Sequence, residues 1–230
     1  MKVSIFTPTN GRPDLLELCK LYVERQTYPI HEHLIESGGT LAENLRSGLP
    51  KLTGDVVVIF EDDDHYHPQW VEWCVKHLED YDVVGEAATR YYHLPTRGYA
   101  VLGTGPQRSS LCNTALRHRM IPLLLSEVRE DLVGIDLHFW KRAVEHGVAV
   151  HTNIGPQTDC DRPPCRKQEC GLVTAIDPPL YVTGMKGIAR GMSFGHQPAY
   201  YSGFHHDDVE YSMLRHWVGD EDIEHYLALA

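Results

Sequence analysis

Hydrophobic and polar positions along the first half of the chain come in blocks. Val3–Phe6 is a short apolar run that ends in Thr7-Pro8-Thr9-Asn10-Gly11-Arg12, the pattern of a strand entering a loop. Pro13 suits the first turn of a helix, and Leu15, Leu16, Leu18, Leu21, Tyr22 and Val23 follow at helical spacing. His33–Ile35 predicts a short second strand, stopped by Glu36-Ser37-Gly38-Gly39. Thr40 suits the N-cap of a helix carrying Leu41, Ala42, Leu45 and Leu49. Asp55–Phe60, with its unbroken Val-Val-Val-Ile-Phe run, predicts a central parallel strand buried on both faces. That strand stops at Glu61-Asp62-Asp63-Asp64. Pro68 then opens a helix through about His77, and Val83–Ala88 predicts a further strand.

Strands alternating with helices give an α/β fold built on a mostly parallel, Rossmann-like sheet flanked by helices. In such sheets ligands sit at the carboxyl ends of the strands. The Thr7–Arg12 loop, the Glu36–Gly39 loop and the acidic loop all fall at that edge. The second half is less regular. Residues 88–126 predict short strands and turns, then a helix from about Asn113. Asp136–His146 predicts a helix with Leu137, Trp140, Ala143 and Val144 on its apolar face, stopped by Gly147. Residues 153–171 predict a loop, Leu172–Val182 an extended segment, 184–203 an irregular Gly-rich stretch, and 205–228 two short helices. With no internal repeat or low-complexity linker, one domain over 1–230 is expected.

Composition narrows the class. The 230 residues are 42% hydrophobic and 23% charged, which excludes disorder, collagen and coiled coil. A formal charge of −11 argues against a surface coated in basic charge, though not against a local basic patch. No run spans a bilayer and no signal peptide is evident, so a soluble cytoplasmic protein (host cytoplasm if viral) is expected. The six Cys fit no secreted framework and are expected to be reduced thiols.

Four consecutive carboxylates after a buried strand repel one another unless a cation sits among them. Hard oxygen donors in this number suit Mn2+ or Mg2+, which also bind substrate phosphates. Val57–Pro68, VVIFEDDDHYHP, resembles the strand and Asp-rich DXD motif of GT-A-fold glycosyltransferases, especially glycosyltransferase family 2. Ser4–Arg12 is similar to that family's first nucleotide-binding strand and loop, Leu34–Gly39 to its strand ending in Asp-Asp-Gly-Ser, and Ala42–Asn44 to its Ala-Arg-Asn. Gly134-Ile135-Asp136-Leu137, followed by Arg142 and Gly147, resembles the Gly-Glu-Asp helix start that carries the general base of inverting members.

The resemblance implies a metal-dependent, inverting transfer of a sugar, from a UDP-sugar first of all, to an acceptor hydroxyl. It implies Asp136 as base, with Asp63, Glu61, Asp64 and His196 around the metal. Asp63 is the favoured direct ligand and Asp62 lies toward ribose or metal water. Thr7, Pro8, Thr9, Asn10, Arg12, Glu36, Asn44, Asp62, Lys186 and Arg190 would bind the nucleotide-sugar. Residues 1–88 would then form the nucleotide half, 89–204 the acceptor-binding and catalytic half, and 205–230 a helical tail. Glu36 and Ile135 depart from the family pattern, which leaves the nucleotide base open.

Residues 88–126 hold five Arg and no acid, with tyrosines interleaved, and the resemblance implies that this segment faces the acceptor, with Arg90, Tyr91, Arg97 and Arg108 as the candidate contacts. A basic, aromatic face suits a polyanion, so the acceptor is either a saccharide or a nucleic acid bearing a hydroxymethylated base. Alternatives using the same acids are a metal-dependent hydrolase, a nucleotidyltransferase, or a non-catalytic nucleotide-sugar-binding module. Cys160, Cys165 and Cys170, with four residues between each, are read as loop thiols, with a structural zinc site as the lesser alternative.

Overall fold

The buried run after Asp55 becomes the middle of a six-stranded sheet. The computed structural model describes residues 1–103, 107–129, 134–153, 180–188 and 206–229. In it β1 (Val3–Thr9), α1 (Pro13–Glu24), β2 (Glu32–Ser37), α2 (Leu41–Gly48) and β3 (Val56–Ile59) follow one another, strand alternating with helix. β4 (His65–Tyr66), α3 (Trp70–His77) and β5 (Val83–Glu86) follow. Then come β6 (Ala88–His93), β7 (Gly98–Gly103), β8 (Thr114–Arg117), α4 (Ile121–Ser126), α5 (Ile135–Glu145) and β9 (Val150–Asn153). β10 (Val182–Lys186), β11 (His206–Asp207), α6 (Ser212–Val218) and α7 (Asp220–Leu229) complete the described elements.

The larger sheet has the order β2-β1-β3-β8-β5-β9. β1, β2 and β3 pair in parallel, as do β5 and β9, but β8 runs antiparallel between β3 and β5. The helix expected from Asn113 is therefore a strand. Ala115 and Leu116, good helix formers, are held by ladders on both sides and packed onto opposite faces. The strand expected at Val83–Ala88 also divides: the chain leaves this sheet after Glu86 and starts a second one. That sheet has the order β11-β7-β6-β10-β4. β10 carries regular pairing through Lys186, where an irregular stretch was expected to have begun.

Alternation in β3 divides the core. Val56, Val58 and Phe60 pack with α1, α3, α6 and α7 on one face. Val57 and Ile59 pack with α2, α4 and α5 on the other. All five are fully buried, and each such side chain stabilises the fold by about 1.5–3 kcal/mol relative to exposure. Thr40 caps α2 as expected, in a full capping box: Glu43 N–H donates to Thr40 Oγ1 at 3.2 Å and Thr40 N–H to Glu43 Oε2 at 2.7 Å. The two C-terminal helices are present. Among the described residues no helix is long and apolar enough to cross a membrane.

Candidate active site

Parallel pairing of β1 with β2 and β3 brings their carboxyl ends to one edge, so the Thr7–Arg12 segment, the Glu36–Gly39 turn and the Glu61–Asp64 loop converge there. Phe60 stays in register by donating its N–H to Phe6 O at 2.9 Å. Its ring stacks on Tyr66 with centroids 3.8 Å apart. The Tyr66 hydroxyl accepts from Glu61 N at 2.7 Å, so the strand end and β4 clamp the loop between them. Asn44, on α2, donates to Thr9 O at 3.1 Å and to Gly39 O at 3.3 Å, tying two of the three loops together.

The four carboxylates occupy different environments. Asp62 accepts from Thr9 Oγ1 at 2.5 Å and is held by the Arg12 guanidinium. Arg12 Nη1 also donates to Asp63 Oδ2 at 3.1 Å. Asp64, 1% exposed, accepts on Oδ1 from Met185 N at 2.9 Å and faces Lys186 Nζ at 3.5 Å. Its Oδ2 is buried with no hydrogen-bond partner. Burial pushes the Glu61 carboxyl up to about 8, and the charges of Asp64 and Asp63 add to the effect. One ligand atom from each of Glu61, Asp64 and Cys112 lies within 4.8 Å of the others. Asp63, expected as the direct metal ligand, pairs through Oδ2 with Arg12.

Asp136 sits in the first turn of α5, after Gly134, whose φ of +86° is open to glycine at little cost. Burial raises its pKa, while the N–H groups of Leu137 and of Asp136 itself pull it back down. Its charge is felt at Glu61, so the base candidate and the acidic loop share one electrostatic environment.

The remaining predicted residues separate. Thr7 and Pro8 are buried in β1, and Thr7 Oγ1 bonds His33 Nε2 at 2.9 Å; Asn10 is exposed beside them. Glu36 pairs with Lys51 at 2.8 Å and Ser47 at 3.0 Å, back along α2. Tyr91 OH meets Ser110 Oγ at 3.0 Å, with Lys186 Nζ 5.6 Å from its ring, and Arg108 lowers the pKa of Asp136 by its charge. Arg90 and Arg97 do not present themselves to an acceptor. Arg90 donates to Leu180 O at 2.6 Å with its Nε buried, 5.6 Å from the Trp217 ring. Arg97 donates to Val209 O at 2.8 Å and covers Tyr211. Both hold the C-terminal segment. Arg190, His196, Cys160, Cys165 and Cys170 lie outside the described residues. Sequence reasoning missed Cys112, because a single thiol on an irregular turn carries no periodic signal.

The profile of glycosyl transferase family 2 matches residues 7–130. Among solved structures, the fold is similar to that of the mannosyltransferase PcManGT from Pyrobaculum calidifontis in complex with GDP-Man and Mn2+. The two share 15% identity at a TM-score of 0.51, over 66% of this chain and 54% of that one. The chain thus spans about half the length of that mannosyltransferase. A197 from STIV is similar at 20% identity and a TM-score of 0.41, over 66% of this chain and 82% of that one. S. aureus TarS 1–349 in complex with UDP is similar at 13% identity and a TM-score of 0.47, over 67% and 59%. No curated protein matches the sequence.

Proposed function

Because the chain belongs to glycosyl transferase family 2 and has the GT-A fold, we propose that it moves a sugar from a nucleotide-sugar, first of all a UDP-sugar, to an acceptor hydroxyl with inversion. The observation that carries this reading is the acidic loop at the carboxyl edge of β3. Among the described residues Arg12 pairs with Asp62 and Asp63 and Lys186 with Asp64, so four clustered acids meet two paired cations, and a divalent ion would add positive charge to the same loop. The unpartnered Asp64 Oδ2 is the atom that fits such an ion. Glu61 and Asp64 would hold it, and His196 is a further candidate from sequence alone. Bound Mn2+ or Mg2+ would neutralise charge growing on the departing diphosphate. Arg12 and Lys186 add fixed positive charge along the same edge. Thr9, Asn10 and Asn44 would shape the nucleotide pocket.

Asp136 would take the acceptor proton. Its raised pKa makes it a stronger base than a solvated aspartate, and its position on the first turn of a helix fixes its direction. The acceptor is proposed to be a saccharide. The basic segment that suggested nucleic acid spends most of its charge internally: besides Arg90 and Arg97, Arg117 donates to Glu79 O at 2.9 Å and Arg119 pairs with Asp82.

The test is thermal stabilisation by UDP, GDP, CMP and dTDP, with and without Mn2+, followed by transfer assays with the donor so named. One nucleotide should stabilise the protein, and more so with Mn2+. Asp64→Asn should lose the Mn2+-dependent part, while Asp136→Asn should keep donor binding and lose transfer. Stabilisation by metal with no response to any nucleotide would favour a metal-dependent hydrolase instead.

A further inference from the structure

The carboxylates of the acidic loop have a thiol among them. Cys112 lies on the single 3-10 turn Leu111–Asn113 that leads into β8, and it is 4% exposed. Its sulfur donates to Asn113 Oδ1 at 3.0 Å and lies with one carboxylate oxygen each of Glu61 and Asp64 inside a 4.8 Å cluster. A second observation points into the same cluster. Asp64 Oδ1 is occupied by the Met185 N–H and by Lys186, while Oδ2 is buried without a hydrogen-bond partner, leaving a carboxylate oxygen of this cluster free to take a cation.

We propose that Cys112 is a third donor to the divalent cation of this loop, so that the site prefers a borderline or soft ion, zinc or cadmium, over magnesium. The inference rests on the reading of the loop as a metal site. Two carboxylates alone are a hard donor set, suited to Mg2+ or Mn2+. Adding sulfur shifts the preference toward thiophilic metals, because a polarisable thiolate gains little from Mg2+, which also holds its waters tightly. On binding, the S–H bond breaks, its proton passes to solvent, and a sulfur–metal bond forms without redox change. Binding is therefore tighter at higher pH.

The experiment uses the full chain with Cys160, Cys165 and Cys170 changed to Ser, so that these thiols do not bind the probe themselves. Cd2+ is titrated while following the thiolate-to-cadmium charge-transfer band, and affinities for Cd2+ and Mg2+ are measured by calorimetry. One Cd2+ per chain should produce the band. Cys112→Ser should abolish it and weaken Cd2+ by about tenfold or more, a loss at least as large as for a group that only supports a ligand. Mg2+ affinity should move by less than about threefold.

X-ray absorption of the zinc-loaded chain with Cys112 intact counts sulfur ligands without relying on the folding of the Cys112 variant, and one sulfur is expected. Cadmium bound with unchanged affinity and no band, or zinc with no sulfur ligand, would overturn the role of Cys112 while leaving the loop a metal site. Failure of Cd2+, Mn2+ and Mg2+ all to bind would overturn both this inference and the metal-dependent part of the proposed function.

Discussion

Arg12 decides how the acidic loop behaves without a cation. Its fork spans Asp62 and Asp63, a geometry that a lysine ammonium does not reproduce. Truncating it takes the guanidinium away from two buried carboxylates that lie side by side, while Asp62 keeps the Thr9 hydroxyl. Arg12→Met is therefore expected to cost about 1–2 kcal/mol of stability, a hydrogen-bonded charge reduced for its part exposure. The loss should shrink in saturating Mn2+, which supplies positive charge to the same loop. Urea unfolding with and without Mn2+ measures both, and an unchanged midpoint in its absence would show that Arg12 is dispensable to the loop. From sequence, Arg12 reads as a nucleotide contact. Its partnership with Asp62 and Asp63 spans some fifty positions of chain, a distance that no local pattern encodes.

At the scale of elements, what reads from sequence is what local chemistry dictates. The capping box at Thr40 and Glu43 and the buried run of β3 need no partner to be recognised. Thr40→Ala should cost about 1 kcal/mol by thermal or urea unfolding. β8 is different: Thr-Ala-Leu-Arg has helical composition and becomes a strand only because β3 and β5 offer ladders on both sides. The division after Glu86 is likewise set by tertiary contact. Glu86, fully buried at the end of β5, accepts from Val182 N at 3.2 Å, Asn113 Nδ2 at 3.0 Å and Tyr181 N, and so joins the first sheet to β10 of the second. Both oxygens accept from N–H donors. Glu86→Gln would turn an NH2 group against one of those donors, and a loss of about 1–3 kcal/mol is expected. Stability equal to that of the parent would mean that Glu86 is held as a neutral acid that already donates. The place of the acidic loop at a strand end and of Asp136 at a helix start reads from sequence because a buried apolar run and a glycine mark those boundaries, whereas the inward turn of Arg90 and Arg97 depends on where α6 and α7 dock.

Across the whole molecule, burial sets how stability follows pH. Desolvation lowers the pKa of His33 to about 4, with Lys20 adding to the effect, and it also lowers those of His65, His67, His77 and His151. An imidazole depressed in the folded state takes up its proton later than in the unfolded chain. Between the unfolded value of about 6.5 and the folded one, the unfolded chain binds more protons, so stability falls as pH falls. Buried acids such as Glu61, whose folded pKa is raised, act with the opposite sign across an overlapping window, losing stability as pH rises. The wild-type curve is therefore a sum, and a variant is needed to separate its parts. His33→Gln keeps a polar group opposite Thr7 Oγ1 but does not titrate. Relative to this variant, the wild type should lose up to about 3 kcal/mol between pH 7 and pH 4, the free energy of a shift of this size. Parallel stability curves for the two proteins over that range would show that His33 charges as readily in the fold as in water, and that its contact with Thr7 does not hold it neutral.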